Sequence, residues 1–201
     1  MNLILIAVTV IVSIVAFGNR ELFDRLKFTP YQIKNQRQSW RFLSYALVHA
    51  GWLHLLINMW VLYSFGSIVE RTFQLQFGMK GLFYYVLLYV GGILFSTLFD
   101  YGKYKNNVYY SAVGASGAVS AVVFASILIF PTGGIMLFPI PFSIPSWLFG
   151  ILYLVYSAYM ARNGKDNVGH SAHFWGAVFG LVFTAIVVPH VIETFIRQLF
   201  G

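Results

Sequence analysis

The chain of 201 residues is 59% hydrophobic and only 9% charged, and its formal net charge is +7 at pH 7. Soluble domains carry about 25% charged residues, so the composition excludes a wholly water-exposed protein and predicts a membrane protein. The lack of cysteine excludes disulfides, thiolate catalysis and cysteine-ligated metals, and the positive charge indicates anionic lipid rather than nucleic acid as a partner.

Charged residues divide the chain into six apolar segments, and a helix of about 20 apolar residues crosses a bilayer. The first segment has no Lys or Arg before it and no small-residue cleavage site after it, so we interpret it as a retained span and not a signal peptide. The sequence therefore predicts an all-α membrane protein with six transmembrane helices in one domain, residues 1–201. The predicted spans are Asn2–Phe17, Trp52–Ser67, Gly81–Phe99, Ala115–Phe130, Ser146–Ala161 and Asn167–Ile192.

The connecting segments are predicted from charge and from proline. Gly18–Arg41 holds eight charged residues and is expected to be partly helical at the membrane interface. Glu70–Lys80 is predicted as a short loop, and Asp100–Lys105 and Arg162–Asp166 are predicted as polar connections. Four prolines and two glycines in PTGGIMLFPIPFSIP break the uncharged run 106–161 into two helices.

A few strongly polar residues lie inside the predicted spans, where such groups are costly and usually functional. His54 and Asn58 are four residues apart and share one helix face, and His49 lies just before them. Ser116 opens the fourth span. These residues begin their spans on the same side of the membrane, so all lie within roughly the outer third of the bilayer.

The sixth span offers a partner for Ser116. His173 shares a face with Gly176 and Gly180, and a Gly-x-x-x-Gly seam lets a neighbouring helix approach closely. Gly114 and Gly117 leave room beside the serine. We therefore expect the sixth span to pack against the fourth, with His173 facing Ser116.

This combination suggests nucleophilic catalysis. A serine hydroxyl needs a base to remove its proton, and histidine is the usual base. Because no carboxylate falls inside a predicted span, the catalytic group would be a Ser116–His173 dyad. The backbone N–H of Ser116 and the side chains of His54 and Asn58 could stabilise the oxyanion.

Each residue taken alone has a simpler interpretation. A serine between glycines usually serves helix packing, an intramembrane histidine is usually structural, and Asn58 could join two helices. His49, His54, His170 and His173 could form a metal site, although no acidic ligand accompanies them, and His190 beside Pro189 fits an interfacial residue. The joint occurrence of the polar residues near one face favours catalysis.

Five stretches of the sequence resemble the rhomboid family of intramembrane serine proteases. They are Trp40-Arg41, the segment HAGWLHLLIN (49–58), Glu70-Arg71, the segment GASG (114–117) and the segment AHFWGAVFG (172–180). The resemblance implies six helices around a water-accessible catalytic cavity, with Ser116 as nucleophile and His173 as general base. It implies His54, Asn58 and the Ser116 N–H as oxyanion donors, a structural His49, and no metal or cofactor.

The resemblance also implies transmembrane proteins as substrates, a multi-pass protein of the cell membrane, and a flexible cap at RNGKDN (162–167) with Gly164 as a hinge. Many members carry an aromatic residue four positions after the serine, stacked on the histidine. Here that position is Ser120, so Trp175 or a tyrosine would have to hold His173.

Orientation gives two conflicting indications. Ten of the basic residues fall on the face of Ser116, which the positive-inside rule would make cytoplasmic. The resemblance implies an extracytoplasmic catalytic face, and we adopt that placement. The alternative functions are a non-catalytic protein that binds or sorts transmembrane clients and a small transporter, although the chain shows no inverted repeat.

Overall fold

The computed structural model describes residues 1–136, 142–164, 166 and 168–201. These residues are mostly helical, which confirms the predicted all-α membrane class. Beside a 3-10 turn at Tyr45–Leu47 and two short strands, β1 (Gly134–Met136) and β2 (Ser143–Pro145), the described residues form ten helices. The helices are α1 (Asn2–Gly18), α2 (Arg20–Leu26), α3 (Pro30–Gln36), α4 (Arg41–Ser44), α5 (Trp52–Phe77), α6 (Lys80–Tyr104), α7 (Ser116–Ile129), α8 (Ser146–Asn163), α9 (His170–Val187) and α10 (Val191–Phe200).

Six of these helices, α1 and α5 to α9, occupy the six predicted spans. Helices α5, α6 and α9 are long and apolar enough to cross a membrane, and α1 and α7 are shorter apolar helices. Large apolar side chains such as Ile11, Leu53 and Ile186 face outward, with 62%, 72% and 78% of their surface exposed. An outer surface of this kind fits lipid and not water.

The predicted loop Glu70–Lys80 is wrong. Helix α5 continues to Phe77, and the connection to α6 is only Gly78–Met79, where Gly78 adopts a φ of 60°. The charged and amide residues near Glu70 have good helix propensity, so the helix extends beyond the apolar stretch. A first charge marks the edge of the hydrocarbon region and not the end of the helix.

The predicted polar connection Asp100–Lys105 is also wrong, because α6 continues to Tyr104. Asp100 belongs to α6, and only 3% of its surface is exposed. The Tyr110 hydroxyl donates a hydrogen bond of 2.8 Å to Asp100 Oδ2. Burial of this acid is tolerated because a donor satisfies it.

The predicted sixth span has different limits in the structure. Helix α9 starts at His170, and the predicted start, Asn167, lies outside the described residues. The predicted end at Ile192 is wrong, because Pro189 cannot continue a helix. The chain turns at His190, which has a φ of 58° and an exposed side chain, and α10 begins at Val191.

Helix α7 lies at the centre of the bundle, and every residue from Gly117 to Ile129 is buried. Helix α9 packs against it backbone to backbone. A Cβ atom on Gly176 would overlap the carbonyl oxygen of Gly117, and one on Gly180 would overlap that of Ala121. The two helices therefore run parallel, and their N-termini lie at the same end of the bundle.

The first connecting segment is partly helical, as predicted, and buried Arg41 organises it. Its guanidinium donates to the carbonyl oxygens of Asp24 at 2.9 Å and Lys27 at 2.7 Å. Phe28 and Ala112 exchange two backbone hydrogen bonds of 2.9 and 3.0 Å. The segment is thereby attached to the chain that leads to Ser116.

The break between α7 and α8 is confirmed. Strands β1 and β2 pair antiparallel there, with Met136 opposite Ser143. Residues 137–141 of the predicted break lie outside the described residues.

Candidate active site

Ser116 is the first residue of α7, and its side chain is partly exposed. The turn before it depends on Gly114, whose φ of 110° is open to glycine and strained for other residues. The Gly114 N–H donates to the Tyr45 carbonyl at 3.0 Å. The serine is thus presented at a helix N-terminus, where the first N–H groups lack acceptors within the helix and the dipole favours negative charge.

His49 is fully buried beside this turn. The Ala115 N–H donates to His49 Nε2 at 3.3 Å, so Nε2 is the unprotonated nitrogen. Nδ1 then donates to Ser13 Oγ at 3.0 Å, and that hydroxyl donates to the Leu47 carbonyl at 2.8 Å. His49 therefore joins α1 to the turn that precedes Ser116, which suits a structural role.

His54 lies against the same turn from α5. The Ala50 N–H is 3.4 Å from His54 Nδ1, which assigns the proton to Nε2. A Cβ atom on Gly114 would lie 2.5 Å from Cε1 and 2.8 Å from Nε2 of this ring. The missing side chain of Gly114 thus admits the imidazole, whose Nε2 lies beside the turn two residues before Ser116.

Asn58 lies one helical turn after His54 and is 6% exposed. Its Nδ2 donates to the His54 carbonyl at 2.9 Å, which fixes the amide on the α5 face that also carries the His54 ring. The second hydrogen on Nδ2 is left for another acceptor. The predicted shared face of these two residues is present.

His173 lies on α9, one turn before Gly176, and is partly exposed. Because Gly176 meets Gly117, His173 and Ser116 are at the same end of the α7–α9 pair. Ser116 and His173 both lie in the described part of the chain, and no hydrogen bond joins their side chains there. Such contacts are often long without substrate and shorten in the substrate complex.

Of the two aromatic residues suggested to hold His173, the structure favours a tyrosine. The Trp175 ring packs against Phe99, with ring centres 5.8 Å apart. The Tyr153 ring from α8 lies nearly parallel to His173, at 6.3 Å and 27°. Sequence analysis did not identify Tyr153, although buried Gly150 and Ser157 mark the inward face of α8 on which it lies.

The predicted cap segment is described only in part, because Lys165 and Asn167 lie outside the described residues. Gly164 has an ordinary φ of −63°, so its backbone does not require glycine. Both carboxylate oxygens of Asp166 are 3.1 Å from His170 Nε2. The hydrogen bond from His170 holds the pKa of Asp166 below its usual range.

The histidines form two pairs of rings. The ring centres of His49 and His54 are 4.9 Å apart, and those of His170 and His173 are 6.2 Å apart. Within the part of the chain that the structure describes, no three His, Asp or Glu side chains are grouped as metal ligands. The geometry therefore gives the metal-site alternative no support.

Comparisons with known proteins all indicate the same family. Residues 36–190 match the Rhomboid domain family. The chain is 29% identical to Rhomboid-related protein 1 of Caenorhabditis elegans over 175 residues, which cover 83% of this chain and 45% of that protein. It is 29% identical over 156 residues to RHOMBOID-like protein 12, mitochondrial, of Arabidopsis thaliana, covering 68% of this chain and 43% of that protein.

A bacterial relative carries the word protease in its name. The chain is 27% identical over 176 residues to Rhomboid protease AarA of Providencia stuartii, covering 80% of this chain and 60% of that protein. The chain thus spans about half the length of the curated relatives that it matches.

Proposed function

Since the chain belongs to the rhomboid family, we propose that it is an intramembrane serine endopeptidase of the cell membrane that cleaves transmembrane segments of other proteins. We further propose that residues 1–201 form one such domain. The observation that carries this proposal is the convergence of Ser116, His54 and the His173 helix at one end of the bundle. The backbone contact between Gly117 and Gly176 sets the separation of the two helices that carry the dyad.

In the proposed reaction, His173 removes the proton of Ser116 Oγ as the oxygen attacks the substrate carbonyl. The C–N bond then breaks, and His173 donates this proton to the leaving amine. Water attacks the resulting acyl-enzyme in the same way and regenerates the serine. No metal or cofactor takes part.

The tetrahedral intermediate carries a negative oxygen that needs donors already in position. We assign this role to the Ser116 N–H, the His54 Nε2–H and the free Nδ2–H of Asn58. The tautomer inferred for His54 supports the assignment, because it leaves a donor beside Gly114. His49 holds the turn and does not contact the substrate.

Asn58→Ala should lower the rate constant for cleavage by about 10²–10³, as the loss of one oxyanion donor does elsewhere. The Michaelis constant should change little, because the interaction forms mainly in the transition state. Steady-state kinetics on a single-span substrate in detergent measures both constants. A change in rate below threefold would remove Asn58 from this role.

The proposed substrates are transmembrane helices, and lipid surrounds both partners. A peptide bond within a helix is hydrogen-bonded and shielded, so the segment must unwind before Ser116 can attack. Gly or Pro near the scissile bond should therefore favour cleavage, because both residues weaken helices.

The proposal is tested with the purified chain in detergent. The chain should cleave a single-span test protein at a bond that mass spectrometry can locate, and a fluorophosphonate probe should label Ser116. Binding of the test protein with neither cleavage nor labelling would support the client-binding alternative. Solute flux in liposomes without cleavage would support a transporter.

We propose that the face of Ser116 is extracytoplasmic. Part of the opposing charge bias is neutralised in the structure, since Arg20 and Lys27 contact Asp24 at 3.2 and 2.8 Å. A reporter fused to the C-terminus should therefore be active only if it works in the cytoplasm, because six spans place that terminus on the opposite face. Activity of a reporter that requires the extracytoplasmic side would reverse the assignment.

A further inference from the structure

The Tyr153 ring of α8 lies beside the His173 ring. Its ring centre is 6.3 Å from that of His173, and the planes are inclined by 27°. Its hydroxyl is 2.7 Å from Ser120 Oγ, which is hydrogen-bonding distance. The rings of Phe124 and Phe149 lie 5.5 and 5.6 Å from it, so neighbours confine the tyrosine on several sides.

Among the described residues, the other aromatic neighbours are arranged differently around the His173 ring. His170 meets it edge-on, at 6.2 Å and 79°. Trp175 packs against Phe99 and Phe174, and 38% of its surface is exposed. Among the aromatic pairs of the described residues, Tyr153 is the ring that lies nearly parallel to His173.

The hydrogen bond with the Tyr153 hydroxyl explains why a polar residue is tolerated at buried position 120. Ser120 lies one helical turn after Ser116 on α7, and 5% of its surface is exposed. A buried tyrosine hydroxyl needs a partner, and a buried serine needs one as well. The pair satisfies both groups and fixes the Tyr153 ring relative to the helix that carries Ser116.

We propose that Tyr153 is a positioning residue for His173 and that Ser120 holds Tyr153 in place. This inference rests on the proposed function. The ring restricts rotation of the imidazole, which keeps its nitrogen directed towards the serine for proton transfer. Helix α7 thus carries Ser116. Through Ser120 and Tyr153, the same helix also fixes the position of the base, His173.

Four variants test the inference: Tyr153→Leu, Tyr153→Phe, Ser120→Ala, and the double variant Ser120→Ala/Tyr153→Phe. Tyr153→Leu should lower kcat about 10- to 100-fold with less than a twofold change in KM, because the base is misplaced while the substrate still binds. Tyr153→Phe and Ser120→Ala should each lower kcat about 2- to 10-fold, the usual effect of one lost hydrogen bond. The double variant should be no worse than either single variant, because both remove the same contact.

Tyr159→Leu is the matched control. This tyrosine lies on the same helix and is 63% exposed, so cleavage should be unchanged. Thermal unfolding in detergent identifies variants that are simply misfolded. If Tyr153→Phe is no more active than Tyr153→Leu, or if the two mild variants act additively, the inference is wrong.

The same experiments separate this inference from the proposed function. Absence of fluorophosphonate labelling in the unmodified chain would overturn the proposed function itself. Labelling and cleavage by the unmodified chain, together with a kcat of Tyr153→Leu within twofold of it, would overturn only the role of Tyr153.

Discussion

Replacing Ser116 with alanine should reduce cleavage by about 10⁴-fold or more and eliminate fluorophosphonate labelling. The substitution removes the oxygen that would form the acyl-enzyme in the proposed reaction, and it leaves α7 intact because alanine favours helix. His173→Ala should have a similar effect on cleavage, since the hydroxyl is a poor nucleophile without its base. The two losses should not add in the double variant, because serine and histidine act as one unit.

Ser126→Ala is the control for this prediction. Ser126 lies on the same helix and is as buried as Ser120, with 5% of its surface exposed, but it is remote from the turn at Ser116. It should retain labelling and cleavage. Residual cleavage by Ser116→Ala at more than a tenth of the original rate would contradict the proposed mechanism.

Gly176→Ala should lower the stability of the protein. The new Cβ atom would overlap the Gly117 carbonyl oxygen and lie 2.8 Å from its carbon, and neither can move without shifting α7. Overpacking of this kind costs about 1–3 kcal/mol. Activity should fall more than stability alone explains, because separating α7 from α9 also separates Ser116 from His173.

Thermal unfolding in detergent and cleavage kinetics measure the two effects of Gly176→Ala. Gly102→Ala is the control, because Gly102 lies within α6 and nothing surrounds its hypothetical Cβ within 4 Å. That change should be neutral or slightly stabilising, since alanine is the better helix former. Equal behaviour of the two variants would show that the α7–α9 contact is more compliant than the structure indicates.

The sequence predicted the number and order of the long helices, because apolar length is a strong signal. It located their ends poorly in two places. Helix α5 continues beyond the apolar stretch at Glu70, and α6 continues past Asp100, a buried acid whose hydrogen-bond donor lies outside the helix. Pairing of Asp100 with Tyr110 cannot be read from either residue alone. The sixth span was predicted to run to Ile192 because the stretch is uncharged, although Pro189 cannot continue a helix.

Within the candidate site, spacing alone suggested which residues share a face. The glycines at 114, 176 and 180 were informative because each one marks a close approach of another group. The protonation of His54 could not be predicted, since it depends on the Ala50 N–H. Tyr153 was missed because its link to Ser120 crosses between two helices and leaves no local pattern.

The hydrogen-bonded chain from Ser13 through His49 to Ala115 has a consequence for synthesis. Helix α1 is synthesised before His49 and carries the hydroxyl that His49 contacts, and the Ala115 N–H that donates to His49 is synthesised after both. The turn before Ser116 can therefore assemble in the order of translation. His173 lies on α9, after these residues in the chain, so a nascent chain that lacks α9 would hold the proposed nucleophile without its proposed base and should be inactive.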